Sequence, residues 1–205
     1  MREAPSAARH RRLRALDERD MPALQRFFEA NPDYFIDVNG EPPRADEAEG
    51  EFRDTPPAGM AYRELVMLGF FEGEGDAAVA TGGRHGELVA MATVVGGFIA
   101  EHVWHIGLFI VATALHGSGA AHAIYRRLED WIVARGAHWI RLGVVAGNTR
   151  AERFWERSGY VQVRERGPVA MGQRMHRLRV MVKPIDGREI EPYLALVARD
   201  RPGAP

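Results

Sequence analysis

HIGLFIVATALHGSGAA, residues 105 to 121, reads as a buried apolar strand that runs into a glycine-bearing loop and then opens a helix. The helix carries Ile124, Leu128, Trp131 and Ile132 as an i, i+4, i+7, i+8 apolar stripe. Small residues ahead of a helix present a row of unpaired backbone N–H groups, and the helix dipole favours an exposed anion by up to about 1 kcal/mol. Gly117, Ser118, Gly119, Ala120 and Ala121 therefore form a candidate polyphosphate loop, with His116 at its entrance. Two common phosphate loops are excluded. There is no GxxxxGK(S/T), and GxGxxG fails because Ala120 is followed by Ala121 and His122 instead of a third glycine.

About twenty residues beyond the loop comes RLGVVAGNTRAERFWERSGYVQV, residues 141 to 163, which reads as strand, Asn148, amphipathic helix, and a Gly-aromatic pair opening another strand. The two segments, in this order and at this spacing, resemble the core of the GNAT superfamily of N-acetyltransferases. The family's pyrophosphate loop is R/Q-x-x-G-x-G/A, matched here by Gly119 and Ala121, with His116 where Arg or Gln is usual. The resemblance spans roughly residues 10 to 183. It implies a mixed α/β (α+β) fold with a six- or seven-stranded mixed sheet, splayed central strands and about four helices, forming a single domain over 10–183. Residues 184–205 lie outside it and, with four prolines and no period, predict a partly loose C-terminal tail.

The resemblance further implies acetyl-CoA as acyl donor and no metal. The backbone of Phe109, Ile110 and Val111 would pair with the pantetheine arm, Asn148 would touch it, and Phe154 and Trp155 would pack near its sulfur end. The same residues have plain structural readings: a glycine-rich turn, an ordinary core strand, and a helix stripe of Ala151, Phe154, Trp155 and Ser158. Asn148 precedes Thr149-Arg150-Ala151-Glu152, which has the S/T-x-x-E form of a capping box.

Transfer from a thioester to an amine requires that the amine lose a proton. His105 is the candidate base, six residues before Val111, where several acetyltransferases carry Glu or His, and with an ordinary pKa near 6.5. His102 is three residues away and on the opposite strand face, so the two cannot chelate a metal. Where the family commonly has a tyrosine to protonate the departing thiolate, this chain has Trp155, an indole and no practical proton source.

At 205 residues, with 46% hydrophobic and 27% charged residues, the chain suits one large globular domain. A net charge of −1 gives no reason to expect a nucleic acid, and the absence of cysteine excludes disulfides, thiolate metal sites and a cysteine nucleophile. The longest apolar run, Leu88 to Ala100, is too short to cross a membrane, and the basic first residues lack the apolar centre of a secretory signal. The expectation is a cytoplasmic protein without membrane attachment. Its oligomeric state is left open, a homodimer being one arrangement.

Other predicted elements are strands at 11–16, 64–71, 87–95 and 103–111, helices beginning after Asp20 and near Ala45 to Phe52, and strands at 138–145, 160–165 and 174–182. The acceptor side would come from the first helices. Residues 31 to 55 hold eight acidic residues against two arginines, a patch that suits a cationic amine, and Tyr34 and Phe35 add aromatic surface. The function so implied is acetyl transfer by direct attack of a primary amine of a small molecule or peptide. The alternative is an acyl-CoA-binding regulatory module with little turnover.

Overall fold

The structure is a computed structural model that describes residues 11–73 and 86–204. The loop expected between the second and third strands falls mostly outside the described residues, as do the first ten residues. Seven strands form one sheet in the order β1-β2-β3-β4-β5-β7-β6. They are β1 (Arg11–Ala15), β2 (Glu64–Glu72), β3 (Glu87–Gly96), β4 (Val103–Val111), β5 (Trp139–Val145), β6 (Val161–Met171) and β7 (Arg174–Pro184). All neighbours are antiparallel except β4 and β5, which run parallel and are joined through helix α4 (Ala120–Val133).

Helices cover both faces. On one, α4 and α5 (Thr149–Arg157) bury Ile124, Tyr125, Leu128, Ile132 and Trp155 against Phe70, Trp104 and Ile140. On the other, α1 (Met21–Ala30), α2 (Asp33–Asn39) and α3 (Glu47–Arg53) bury Leu24, Phe27, Phe28, Phe35 and Ala48 against Met91 and Ile110. Strand β3 lies between these layers, which is why Leu88 to Val95 carries an apolar run with little polar alternation.

The described residues hold six α-helices where about four were expected. Asn31-Pro32 ends α1 as read from the sequence, but the chain restarts at once in α2, which Gly40 closes at φ +84°. Seven residues with only Phe35 and Val38 buried give too short a period to recognise.

The segment after Pro184, for which a partly loose tail is predicted, is instead folded onto the sheet. Helix α6 (Ile190–Leu196) and the turn after it bury Tyr193 and Val197 completely against Trp139, Val163, Val180 and Val182. Asp200 ends this segment in a buried ion pair with Arg141 of β5, at 2.6 Å from Asp200 Oδ2 to Arg141 Nε and 3.1 Å from Oδ1 to Nη2, and it also accepts the Tyr193 hydroxyl.

Strands β6 and β7 run farther than predicted, because β6 passes Gly167-Pro168 through a register shift. The hairpin tip rests on the end of α2: Gln173 N–H donates to Asn39 O at 2.8 Å, and His176 Nε2–H to Val38 O at 2.7 Å. Gly172 permits this contact. A Cβ there would lie 2.6 Å from Asn39 backbone, and its φ is +56°.

Candidate active site

Strand β4 pairs with β5 only from Val103 to Ile106, opposite Trp139 to Leu142, although both strands continue beyond. The break coincides with a bulge on the other side of β4, where the register with β3 shifts at Gly107 so that Thr93 faces Leu108 and Val94 faces Ile106. Beyond it, Gly107–Val111 and Gly143–Val145 diverge, and the backbone of β4 on that side has no strand partner.

The outer end of the opening is a cavity of about 660 Å³. Phe109, Ile110 and Val111 of β4 line it, together with His116, Gly117, Gly119 and Ala121 of the loop and Asn148, Phe154 and Trp155 at the start and on the face of α5. The structure thus brings together ten of the twelve residues expected at a coenzyme site. Ser118 and Ala120 are not on the lining. The Ser118 hydroxyl donates to Leu115 O at 2.7 Å and accepts the Ala120 N–H at 3.3 Å, so both are occupied in shaping the turn.

Gly117 and Gly119 adopt φ of +77° and +81°, and the space a Cβ would fill is open at both. No side chain caps α4. The N–H groups of its first turn beyond Ala120 and the cradle left by the glycines suit a diphosphate. His116 behaves differently from the expected phosphate donor. Its Nε2–H donates to Val111 O at 3.0 Å, fastening the loop to the end of β4, while Nδ1 is buried without a partner. Burial, then the Arg150 charge, lower its pKa, so the ring is neutral and its remaining nitrogen is an acceptor.

Asn148 is the true cap of α5, accepting Ala151 N–H at 3.1 Å. The capping box read at Thr149 is therefore shifted by one residue. Thr149 is already helical, and Glu152 reaches back to Gly147 N–H instead.

The inner end of the opening divides into two further cavities of about 360 and 370 Å³, both reaching His105, Gly107 and Leu108 of β4 and both bordered by Tyr34. Tyr34 also borders the outer cavity, so this side chain sits where all three meet. Phe35 lines only the acidic one and is otherwise packed in the core, edge-on to Phe28 at 5.0 Å.

His105 stacks on Phe98 with ring centroids 4.9 Å apart, and its Nδ1 lies 3.1 Å from Arg141 O and 3.3 Å from Arg141 Nη1. Burial, reinforced by the Arg141 guanidinium, pushes its pKa down to about 3. His105 is a neutral imidazole, its pKa far from the value at which a base is most useful near neutrality. His102 points away, stacking on His138 at 4.0 Å.

The sequence reading counted Glu51 as one of eight acids, and the structure separates it from the other seven. Its carboxylate accepts the Thr93 hydroxyl at 2.5 Å, and Thr93 is the register partner of Leu108. Glu51 therefore stands over the point where β4 leaves β5. Burial raises its pKa, the Thr93 hydrogen bond opposes this, and Asp54 and Glu47 add to the rise. Arg166 of β6 and Arg199 of the C-terminal segment, which border the other inner cavity, were also missed. No local pattern marks any of the three. The acidic density of residues 31–55 was the one signal, and it pointed at the region without choosing a residue.

Trp155 and Phe154 meet Phe109 at 5.7 and 6.0 Å, forming an aromatic floor under the opening with Tyr125. The Tyr125 and Tyr160 hydroxyls bond each other at 3.0 Å, and burial raises both pKa values. Neither tyrosine lines any of the three cavities.

Among solved structures, an acetyltransferase from Thermus thermophilus superimposes with a TM-score of 0.64 at 19% identity, covering 85% of this chain and 97% of that one. Spermidine N-acetyltransferase from Vibrio cholerae, in complex with CoA and spermine, gives 0.60 at 17% identity, with 85% and 95% covered. Arabidopsis thaliana NAA60 in complex with a bisubstrate analogue gives 0.56 at 13% identity, with 86% and 100% covered. These likenesses are of fold. No curated protein matches the sequence. The profile of the Acetyltransferase (GNAT) family matches residues 44–160, more than half of the chain, and spans the bulged strand, the glycine loop and the Asn148 helix. With a seven-stranded mixed sheet opened between its parallel strands and a small-residue loop at the mouth of that opening, the chain belongs to the GNAT acetyltransferase family.

Proposed function

We propose that this acetyltransferase uses acetyl-CoA and moves its acetyl group directly to a primary amine of a small molecule or peptide. The observation that carries the reading is the loss of the β5 partner by β4 after Ile106. A pantetheine arm is narrow, extended and dotted with amide groups, and the backbone groups of β4 that point away from β3, the Phe109 N–H and C=O and the Val111 N–H, offer it hydrogen bonds that a missing strand would make. The diphosphate would rest on Gly117, Gly119 and the first turn of α4. Acetyl-CoA supplies the activated acetyl group.

The chain's own residues handle the proton. Glu51, its pKa raised by burial, takes one proton from the acceptor's ammonium and leaves a neutral amine beside Leu108. His105, neutral, orients that amine through Nε2. The C–N bond forms as the C–S bond breaks, and the amine's second proton leaves with the sulfur as a thiol. Trp155 supplies no proton, which a thiolate of low basicity tolerates. Direct transfer is favoured because the chain has no cysteine and the Ser118 hydroxyl is bonded away from the cavity.

The test is calorimetric titration with acetyl-CoA, followed by thiol release with a panel of amines. Binding with amine-dependent release supports the proposal. Binding without release from any amine supports an acyl-CoA-binding regulatory module, the reading that Trp155 at the tyrosine position favours, and absence of binding refutes both.

A further inference from the structure

The two inner cavities share His105, Gly107 and Leu108 but differ in charge. One is bordered by Glu47, Glu51 and Asp54, the other by Arg166, Arg199 and Arg141. In the basic cavity Arg141 is fully matched by Asp200, and that carboxylate also accepts the Tyr193 hydroxyl. Glu165, beside Arg166 in sequence, is paired with Arg177. The Arg166 guanidinium makes no hydrogen bond or ion pair among the described residues, and the Arg199 guanidinium reaches only the Met60 sulfur, at 3.3 Å. Two guanidinium groups thus border the cavity with no ion-pair partner of their own among the described residues; the carboxylate whose charge reaches both, Asp200, is bonded to Arg141 and Tyr193. Burial and the neighbouring Arg141 and Arg199 charges depress the pKa of Arg166, as expected of a cation held among like charges.

We propose that the acceptor is an amine that also carries an oxyanion, an amino acid in its smallest form, with the oxyanion held by Arg166 and Arg199 and the amine at Glu51. This rests on the transferase reading above and names its substrate class. The shared floor of the cavities at His105 and Gly107 places the two charged ends on either side of the reacting position. Arginine suits the role because its planar fork meets a carboxylate or phosphate with two parallel hydrogen bonds. A polyamine fits poorly, since its far ammonium would meet Arg166. Both arginines lie outside residues 44–160, the part of the chain that carries the family pattern.

The test compares kcat/KM for the twenty common amino acids with that for their carboxamides, for ethanolamine phosphate with that for ethanolamine, and for spermidine, all with acetyl-CoA. Charge-assisted hydrogen bonds to the oxyanion should make the best acid at least about tenfold better than its amide. The phosphate arm tells which oxyanion is meant. In Arg166→Ala that ratio should fall to within about threefold of unity, chiefly through KM, with partial rescue in Arg166→Lys. In Arg177→Ala, an exposed arginine away from the cavities, the ratio should persist. Equal rates for acid and amide, preference for spermidine, or a ratio that survives Arg166→Ala overturns the assignment while leaving the transferase intact.

Failure of every amine to release thiol would instead overturn the transferase. The anion site is then read by thermal shift of the CoA-loaded protein: stabilisation by acids over amides that is lost in Arg166→Ala supports it, and no such difference overturns it.

Discussion

Replacing Asp200 by Ala tests the tie between the C-terminal segment and the candidate site. The Arg141 and Asp200 side chains are 6% and 2% exposed, and the carboxylate bonds both Nε and Nη2 of the guanidinium. Removing it leaves a buried cation uncompensated and the Tyr193 hydroxyl without its acceptor. Breaking a buried pair from one side costs about 3–5 kcal/mol. For a domain of this size, that is a fall in Tm of about 6–20 °C. Urea unfolding at pH 7 measures the loss directly.

The triple variant Arg141→Met/Asp200→Leu/Tyr193→Phe removes charge and hydroxyl together and should recover most of the stability, because the penalty lies in the unpaired charge. Burial works to raise the Asp200 pKa, but the Arg141 hydrogen bonds and charge outweigh it and hold it below the ordinary value. A carboxylate with a lowered folded pKa stabilises above its unfolded value, near 3.9, and loses that contribution as pH falls through the folded one. The wild type should therefore shed this part of its stability below about pH 4, and Asp200→Ala should lack that component. A loss under about 1 kcal/mol at pH 7, or a triple variant no more stable than the single one, would refute the reasoning.

Glu51→Gln should lower kcat/KM by about 10²–10⁴ while raising Tm slightly at neutral pH, since the amide keeps a bond to Thr93 and removes a carboxylate whose folded pKa is raised; an unchanged rate excludes Glu51 as proton acceptor. That raised pKa also places the acidic limb of the wild-type rate profile above the ordinary glutamate value near 4.3, and the limb should vanish in Glu51→Gln. Gly119→Val forces a branched side chain to φ +81° and fills the cradle at the start of α4, so calorimetry should find acetyl-CoA affinity reduced at least about tenfold. Leu128→Ala, at a fully buried position between α4 and the sheet, should cost about 2–5 kcal/mol in urea unfolding without altering the acid-over-amide preference.

Within the candidate site, the half proposed for the coenzyme was legible in the sequence because it is local. A strand, a run of small residues and a helix stripe are contiguous between 105 and 132, and Asn148 opens the next helix. The acceptor half was not, because its geometry is made by elements distant in sequence. Glu51 acquires its place only when α3 crosses β3 at Thr93, 42 residues on. Arg166 and Arg199 face the cavity only once β6 and the last turn have docked. His105 could be found as a candidate, but its neutrality depends on burial and on Arg141, 36 residues away. The final segment looked loose because Ile190, Tyr193, Leu194 and Val197 show no extended period. What orders them is the apolar flank around Trp139 and Val180, a demand of the sheet that a local reading of the tail does not contain.

The parting of β4 from β5 gives this protein a sheet edge in its interior. An outer edge can template pairing with any passing chain, which is why folded proteins guard their edges. Here the unpaired backbone lies between two strands of the same sheet, with α4 and α5 beneath it, so only what enters the opening can pair with it. The amide protons of Phe109 and Val111, which alternate with the β3-bonded Ile110 and Ala112, become an intrinsic reporter of occupancy: they should exchange quickly with solvent in the free protein and slowly once the opening is filled.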